Sequence, residues 1–192
     1  MNTVYIFVAA LGVAVIANFA LTAHVAATLS AKMSALEHRT VDQADDSLLP
    51  VGTEIPGFST RTVDGEPVRS WEFDRPTVLG FFMVGRVPCE TTLPDFCEAA
   101  ETLRVEGAEV IAVVCHESRH PGGPIADPAV KALAARLGTV ARVVLERDGD
   151  AVTTAFKMTV FPAFYRVSTR NGRLRVTGTA SAPPSFSGLE WA

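Results

Sequence analysis

The chain has 192 residues, of which 48% are hydrophobic and 20% charged, and its formal net charge of -4 corresponds to a pI near 5.6. The 17 Lys and Arg residues are scattered along the sequence, so no basic surface is predicted and nucleic acid is not expected as a partner. Three cysteines are too few to build a disulfide scaffold, and their odd number leaves at least one thiol unpaired within a monomer.

The chain begins with an apolar segment of membrane-spanning length. Residues 1–31 contain no Asp, Glu, Lys or Arg, and residues 4–27 are an almost unbroken apolar run. A bilayer core requires about 20 apolar helical residues, so the sequence predicts one transmembrane helix and a single-pass protein of the cell membrane. A cleaved signal peptide is the alternative, but such peptides have a basic start and a shorter apolar core. The first cations, Lys32 and Arg39, would by themselves place the rest of the chain in the cytoplasm, but acidic residues surround them.

One globular domain is predicted after this anchor. A polar tether covers residues 32–49, the domain covers residues 50–180, and an irregular tail with two prolines covers residues 181–192. Within the domain, short runs of β-branched and aromatic residues alternate with helical segments, which is typical of an α/β sheet.

The first half of the domain predicts strand, helix, strand and helix in that order. Residues 77–84 and 109–114 are short apolar runs typical of buried strands. Apolar residues recur with helical spacing between them, which predicts a helix over residues 92–105 and a right-handed crossover joining parallel strands. A second helix is predicted to open at Asp127 and to close at Gly138.

The second half of the domain predicts a strand and then a hairpin. Residues 140–145 form a third short strand, parallel to the first two. Residues 160–167 and 173–177 form an antiparallel hairpin at one edge of the sheet, because Asn171-Gly172 between them favours a tight turn.

Several motifs resemble those of membrane-anchored redoxins of the TlpA type, and among these the MauD-type accessory proteins of methylamine dehydrogenase maturation. The matching segments are GTEIPGF at residues 52–58, VDGEP at 63–67, the strand ending FFMV, Pro88-Cys89, Leu93-Pro94, ERDGDAVTTAFKMTVFPAFYRV at 146–167 and NGRL. The resemblance implies a thioredoxin-like fold and a domain outside the cytoplasm. It also implies a cis peptide bond between Phe161 and Pro162, which with Pro88 would bind an extended substrate. No cofactor and no metal are expected.

The sequence departs from this family at its redox motif. In the family a Cys-x-x-Cys motif begins the helix after the buried strand, and its first cysteine attacks disulfides. Here residues 85–89 read Gly-Arg-Val-Pro-Cys, so Arg86 stands in the attacking position and Cys89 matches only the second cysteine. A helix N-terminus and a nearby cation lower the pKa of a thiol, whereas burial raises it. The sequence leaves open which effect prevails at Cys89.

The other two cysteines have different expected surroundings. Cys115 ends the second predicted strand and is expected at the same sheet edge as Cys89, where the two thiols would rebuild a redox couple. Cys97 is interpreted as a small buried hydrophobe of the first helix. His116 and His120 flank Cys115 with irregular spacing, so this segment is interpreted as a solvated loop rather than a metal site.

Three functions are compatible with these features. The first is thiol-disulfide redox chemistry or maturation of an exported partner, with Cys89, Arg86 and Cys115 as catalytic residues and a client protein or a low-molecular-weight thiol as the partner. The second is a catalytically silent module that recruits a client beside Pro162. The third is a peroxide-reducing enzyme, which ranks last because Arg86 occupies the position where that family has threonine.

Overall fold

The computed structural model describes residues 47–117, 119–170 and 172–181. The predicted anchor at residues 4–27, most of the tether at residues 32–49 and nearly all of the C-terminal tail lie outside these ranges. None of the helices in the described part of the chain is long and apolar enough to cross a membrane.

The described residues form a six-stranded sheet, a two-stranded sheet and three α-helices. The strands are β1 (Glu54–Ile55), β2 (Ser59–Arg61), β3 (Pro67–Arg69), β4 (Thr77–Met83), β5 (Glu109–Cys115), β6 (Arg142–Glu146), β7 (Ala163–Arg170) and β8 (Arg173–Ala180). The helices are α1 (Val87–Val105), α2 (Pro128–Leu137) and α3 (Ala151–Ala155), with 3-10 turns at Ser70–Glu72 and Pro124–Ala126. The large sheet has the order β1-β8-β7-β4-β5-β6, and β2 and β3 form a separate antiparallel pair.

The three parallel strands predicted from the sequence are confirmed. β4 pairs in parallel with β5, and β5 pairs in parallel with β6, so that Met83 lies opposite Cys115 and Cys115 lies opposite Glu146. β6 begins at Arg142 rather than at residue 140. The chain is still turning there, because the N–H groups of residues 140 and 141 both donate to the carbonyl of Leu137.

Helix α1 is longer than predicted, since it begins at Val87 rather than at residue 92. Pro88 lies in its first turn, where a missing N–H removes no helical hydrogen bond. The sequence prediction therefore started one turn too late. The buried face has the predicted helical spacing and consists of Cys89, Leu93, Phe96, Ala100 and Leu103.

Helix α2 has the boundaries that its sequence signals predict. The carboxylate of Asp127 accepts a hydrogen bond from the N–H of Ala129 at 3.0 Å, and Pro128 occupies the first helical position. At the other end the N–H of Gly138 donates to the carbonyl of Ala134. Both predicted ends are confirmed.

The hairpin is present, but it does not lie at the edge of the sheet. β7 pairs antiparallel with both β4 and β8, and β1 pairs with the far side of β8. The predicted edge position is therefore wrong, because a strand as short as Glu54–Ile55 has no recognisable alternation in its sequence. β7 begins at Ala163 rather than at residue 160, after Pro162, which has no N–H to donate to a neighbouring strand.

The large sheet divides the hydrophobic core into two layers, because successive strand residues point to opposite faces. One layer contains the rings of Phe58, Phe73, Phe81, Phe156 and Tyr165. The other layer lies beneath α1 and α2 and contains the rings of Phe82, Phe96 and Phe164. A Cβ at Gly80 would lie 2.8 Å from Cε2 of Phe96, so this glycine allows α1 to pack closely on the sheet.

Candidate functional site

The candidate site lies where β4 ends and α1 begins. β4 ends at Met83, Gly85 has a positive φ of 76°, and Arg86 is the N-cap of α1. Glycine adopts this left-handed conformation without steric cost, which allows the sharp turn from strand to helix. The segment that resembles the redox motif is therefore this strand-to-helix turn.

Arg86 is the residue that the sequence resemblance places in the attacking position. Its side chain is exposed, and its backbone carbonyl accepts hydrogen bonds from the N–H groups of Cys89 at 3.0 Å and Glu90 at 3.1 Å. The guanidinium adds a positive charge at the positive end of the helix dipole. This end of α1 thus presents a cation that attracts anionic groups, and it presents no nucleophile.

Cys89 is only 2% exposed and belongs to the core layer beneath α1. Its Sγ accepts a hydrogen bond from the N–H of Met83 at 3.3 Å. Burial raises the pKa of the Cys89 thiol, and this effect outweighs the lowering by the Met83 N–H and by the charge of Arg86. Of the two opposing effects that the sequence left open, burial is therefore the stronger one.

Cys115 is buried at the end of β5, beside an equally buried carboxylate. Glu146 lies opposite it in the sheet and accepts hydrogen bonds from Thr60 Oγ1 and from the N–H of Val152, both at 3.0 Å. Burial, followed by the negative charge of Glu146, raises the pKa of the Cys115 thiol to about 12. Cys115 therefore remains a neutral thiol at any physiological pH.

No disulfide joins Cys89 and Cys115 in the structure, and a redox couple of these two thiols stays a prediction. All three cysteines are free thiols. Cys89 belongs to the layer beneath α1, whereas Cys115 belongs to the layer on the opposite face of the sheet. Met83 adjoins both residues, because its N–H donates to Cys89 Sγ while its Cα pairs with that of Cys115, and the charge of Cys89 is among the causes that raise the pKa of Cys115. Cys97 is half-buried and packs against the same layer as Cys89.

The raised pKa of Cys115 predicts a loss of stability at alkaline pH. The folded protein keeps this proton up to about pH 12, whereas the thiol of the unfolded chain loses it near a pKa of about 8.5. The contribution to stability is therefore complete below about pH 8.5 and is lost as the pH rises towards 12, by up to about 1.4 kcal/mol per pH unit. The free energy of unfolding can be measured by urea denaturation at several alkaline pH values. Plotted against pH, it should fall with a shallower slope for Cys115→Ala than for the natural chain. Equal slopes for these two proteins would contradict the prediction, and Val105→Ala, which removes no titratable group, serves as the control.

The Phe161-Pro162 peptide bond is cis, as the resemblance implied. Phe81 pairs with Ala163, so Phe161 lies beside the end of β4 and near the start of α1. Pro162 is buried, while Phe161 is half-buried and packs against both core layers. The predicted substrate-binding pair is therefore placed next to the strand-to-helix turn.

An apolar surface borders this turn, and it is named here the apolar rim. Its members are Val84 and Phe161, which are half-buried, and Val87 and Pro88, which are exposed. Val87 is 68% exposed. The rim provides apolar contact area without a reactive group.

His116 differs from its expected environment. The sequence predicted a solvated loop after β5, and Glu117 and His120 are indeed exposed, but His116 is only 4% exposed. The prediction is wrong for His116, because its backbone N–H donates to the carbonyl of Glu146 and continues the pairing of β5 with β6. His116 lines a small cleft together with Glu117 and Asp127. The sequence did not predict this cleft. The described residues contain no group of three His, Cys, Asp or Glu side chains that could hold a metal ion.

Comparisons with known proteins find similarity in structure. No family model matches the chain, and no curated protein matches it in sequence. The thioredoxin domain of a thiol-disulfide oxidoreductase from Bacteroides vulgatus is similar, with 15% identity, a TM-score of 0.52, and coverage of 68% of this chain and 88% of that chain. A thioredoxin-family thiol:disulfide interchange protein from Chlorobium tepidum is similar as well, with 22% identity, a TM-score of 0.52, and coverage of 70% of this chain and 89% of that chain. A secreted disulfide oxidoreductase from Mycobacterium tuberculosis has 16% identity, a TM-score of 0.50, and coverage of 68% of this chain and 92% of that chain.

These similarities concern the fold alone, since the sequence identities lie between 15% and 22%. The expected α/β architecture with a mixed central sheet is thus confirmed, and the described domain has the thioredoxin fold.

Proposed function

We propose that this chain is a client-binding protein with a thioredoxin fold, which binds an extended protein segment beside Pro162 and does not turn over disulfides. The observation that carries the proposal is the state of the motif. Arg86 occupies the attacking position, and the remaining thiol of Cys89 is buried with a raised pKa.

Disulfide exchange by a Cys-x-x-Cys pair needs a thiolate that attacks, a mixed disulfide, and a second thiol that resolves it. The thiolate is the reactive form, and a free cysteine with a pKa of about 8.5 is only a few per cent thiolate at neutral pH. Cys89 has a smaller thiolate fraction than this, because burial raises its pKa. The chain therefore lacks both the attacking thiol and an activated substitute for it.

The client surface consists of the apolar rim and the backbone that precedes Pro162. Exposed apolar side chains such as Val87 lose contact with water when an extended peptide covers them, which favours binding. The motifs that resemble TlpA-type and MauD-type redoxins support maturation of an exported partner as the setting. In this proposal residues 4–27 hold the protein in the membrane with the domain outside the cytoplasm.

The test measures peptide binding and disulfide turnover with the same protein. Fluorescence anisotropy with a labelled insulin B chain, whose cysteines have been alkylated, should show binding that Phe161→Asp weakens at least about tenfold, because the carboxylate loses water on contact with an apolar partner. Val105→Asp is the matched control, since Val105 is 89% exposed at the other end of α1. Reduction of insulin should be no faster with the natural chain than with Cys89→Ser. Turnover that Cys89→Ser abolishes would refute the proposal.

Single-thiol redox chemistry at Cys89 is the second candidate. The hydrogen bond from the Met83 N–H and the charge of Arg86 both stabilise a thiolate, and this observation favours it. In that case the Cys89 thiolate should attack oxidised glutathione, release one glutathione thiol and keep the other half as a long-lived mixed disulfide, visible as a mass increase that Cys89→Ser removes.

A further inference from the structure

A small cleft lies beside the start of α1, on the side of the loop that follows β5. Its volume is about 210 Å³, and the side chains that line it are those of Met83, Val84, Arg86, His116, Glu117, Asp127 and Val130. Pockets for drug-sized ligands have volumes of about 300–1,000 Å³. The cleft therefore suits a ligand with only a few non-hydrogen atoms.

His116 carries a buried polar atom that needs a partner. Nδ1 of His116 is buried and has no hydrogen-bond partner among the described residues. Burial lowers the pKa of His116, so the imidazole is neutral at neutral pH. A buried polar atom without a partner is destabilising, and most such atoms in native proteins are hydrogen-bonded. A polar ligand in the cleft would supply the missing bond, either as an acceptor for Nδ1–H or as a donor to a bare Nδ1.

The cleft carries charges of both signs next to apolar side chains. Arg86 supplies a cation at the start of α1, where the helix dipole also favours an anion. Glu117 and Asp127 supply two carboxylates, of which that of Asp127 also caps α2. A simple anion would be repelled by the two carboxylates, and a simple cation would be repelled by Arg86. The charges are therefore complementary to a ligand that has both.

We propose that this cleft binds a small free α-amino acid as its zwitterion. The carboxylate of the amino acid pairs with Arg86 at the start of α1 and accepts a hydrogen bond from Nδ1–H of His116, and the ammonium group pairs with Glu117 and Asp127. The short side chain contacts Val84 and Val130. The site adjoins the client surface beside Pro162 and shares Val84 with it, and it adds a second ligand to the proposed function.

Three probes of similar size separate the two halves of the zwitterion. L-alanine carries both charged groups, propionate lacks the ammonium group, and ethylamine lacks the carboxylate. Calorimetric titration of the full chain should give a Kd for L-alanine at least about tenfold below that of either other probe, since each lacks one charge-assisted hydrogen-bonding group. L-alanine should also shift the ¹⁵N resonance of the His116 imidazole. Equal affinity for propionate and L-alanine would overturn the proposal in favour of a simple anion site, and the absence of binding by all three would overturn it entirely.

Two exposed charges allow variants that leave the core intact. Arg86→Gln and Glu117→Gln should each weaken L-alanine binding at least about tenfold. Arg75→Gln and Glu98→Gln are matched controls at exposed positions outside the cleft, and they should leave the Kd unchanged. An unchanged Kd in Glu117→Gln would refute the site. Phe161→Asp should retain L-alanine binding, so failure of the amino-acid site and failure of the client surface give different results.

Discussion

Replacing Arg86 with cysteine should give the domain a higher disulfide-exchange activity than that of the natural chain. The N–H of Cys89 donates to the carbonyl of Arg86 at 3.0 Å, so the two residues lie one helical turn apart. This separation is within the range that a disulfide can bridge. A thiol at the N-cap has a lowered pKa and can attack, and Cys89 behind it can resolve the mixed disulfide. Insulin reduction in the presence of dithiothreitol should rise at least about tenfold above that of the natural chain.

Two further variants make this result specific. Arg86→Ser removes the cation without adding a thiol and should leave insulin reduction at the background rate. Arg86→Cys combined with Cys89→Ser should stop at a long-lived mixed disulfide, because no second thiol resolves it. Background activity in Arg86→Cys itself would mean that the surrounding surface, rather than the missing thiol, prevents exchange.

Truncation of Phe96 should have the largest effect on stability. The ring is fully buried beneath α1, with its centroid 5.0 Å from that of Phe82 and 5.6 Å from that of Phe164. Phe96→Ala removes these contacts and leaves a cavity, so the free energy of unfolding should fall by about 3–5 kcal/mol. Urea denaturation should show a lower midpoint with an unchanged m-value.

The same helix provides the control for this measurement. Val105→Ala truncates a side chain that is 89% exposed, and it should change the free energy of unfolding by no more than about 0.5 kcal/mol. The alkylation rate of Cys89 under native conditions should rise in Phe96→Ala and stay constant in Val105→Ala, because Cys89 is protected by the packing of α1. If the free energy of unfolding fell as little in Phe96→Ala as in Val105→Ala, this account of the core would be contradicted.

The parts of the fold that the sequence predicts are those with strong local signals. β4 is buried along almost its whole length, so its apolar run is recognisable without a partner strand. Asp127 and Pro128 mark the start of α2 by the chemistry of the helix end itself. β1 has only two residues and exists because it pairs with β8, which is a contact distant in sequence. No local pattern reveals such a strand.

At the site, the sequence predicts which residues meet at the strand-to-helix turn but not how buried they are. The positions of Arg86, Cys89 and Phe161 follow from motif spacing and from the resemblance. The pKa of Cys89 depends on how completely the sheet and α1 remove it from water, which is a property of the packed structure. The face of the sheet on which Cys115 lies depends on strand register. The expected position of Cys115 at the same sheet edge as Cys89 therefore did not predict which core layer it joins.

The free state of all three cysteines has a consequence for how the domain matures. Its three thiols remain separate in the native state, and no covalent cross-link joins distant parts of the chain. The stability of the domain comes from its two core layers, so it needs no oxidant or disulfide isomerase to reach the native fold. The fold of the described domain is therefore independent of the redox potential around it, since reducing conditions have no cross-link to break.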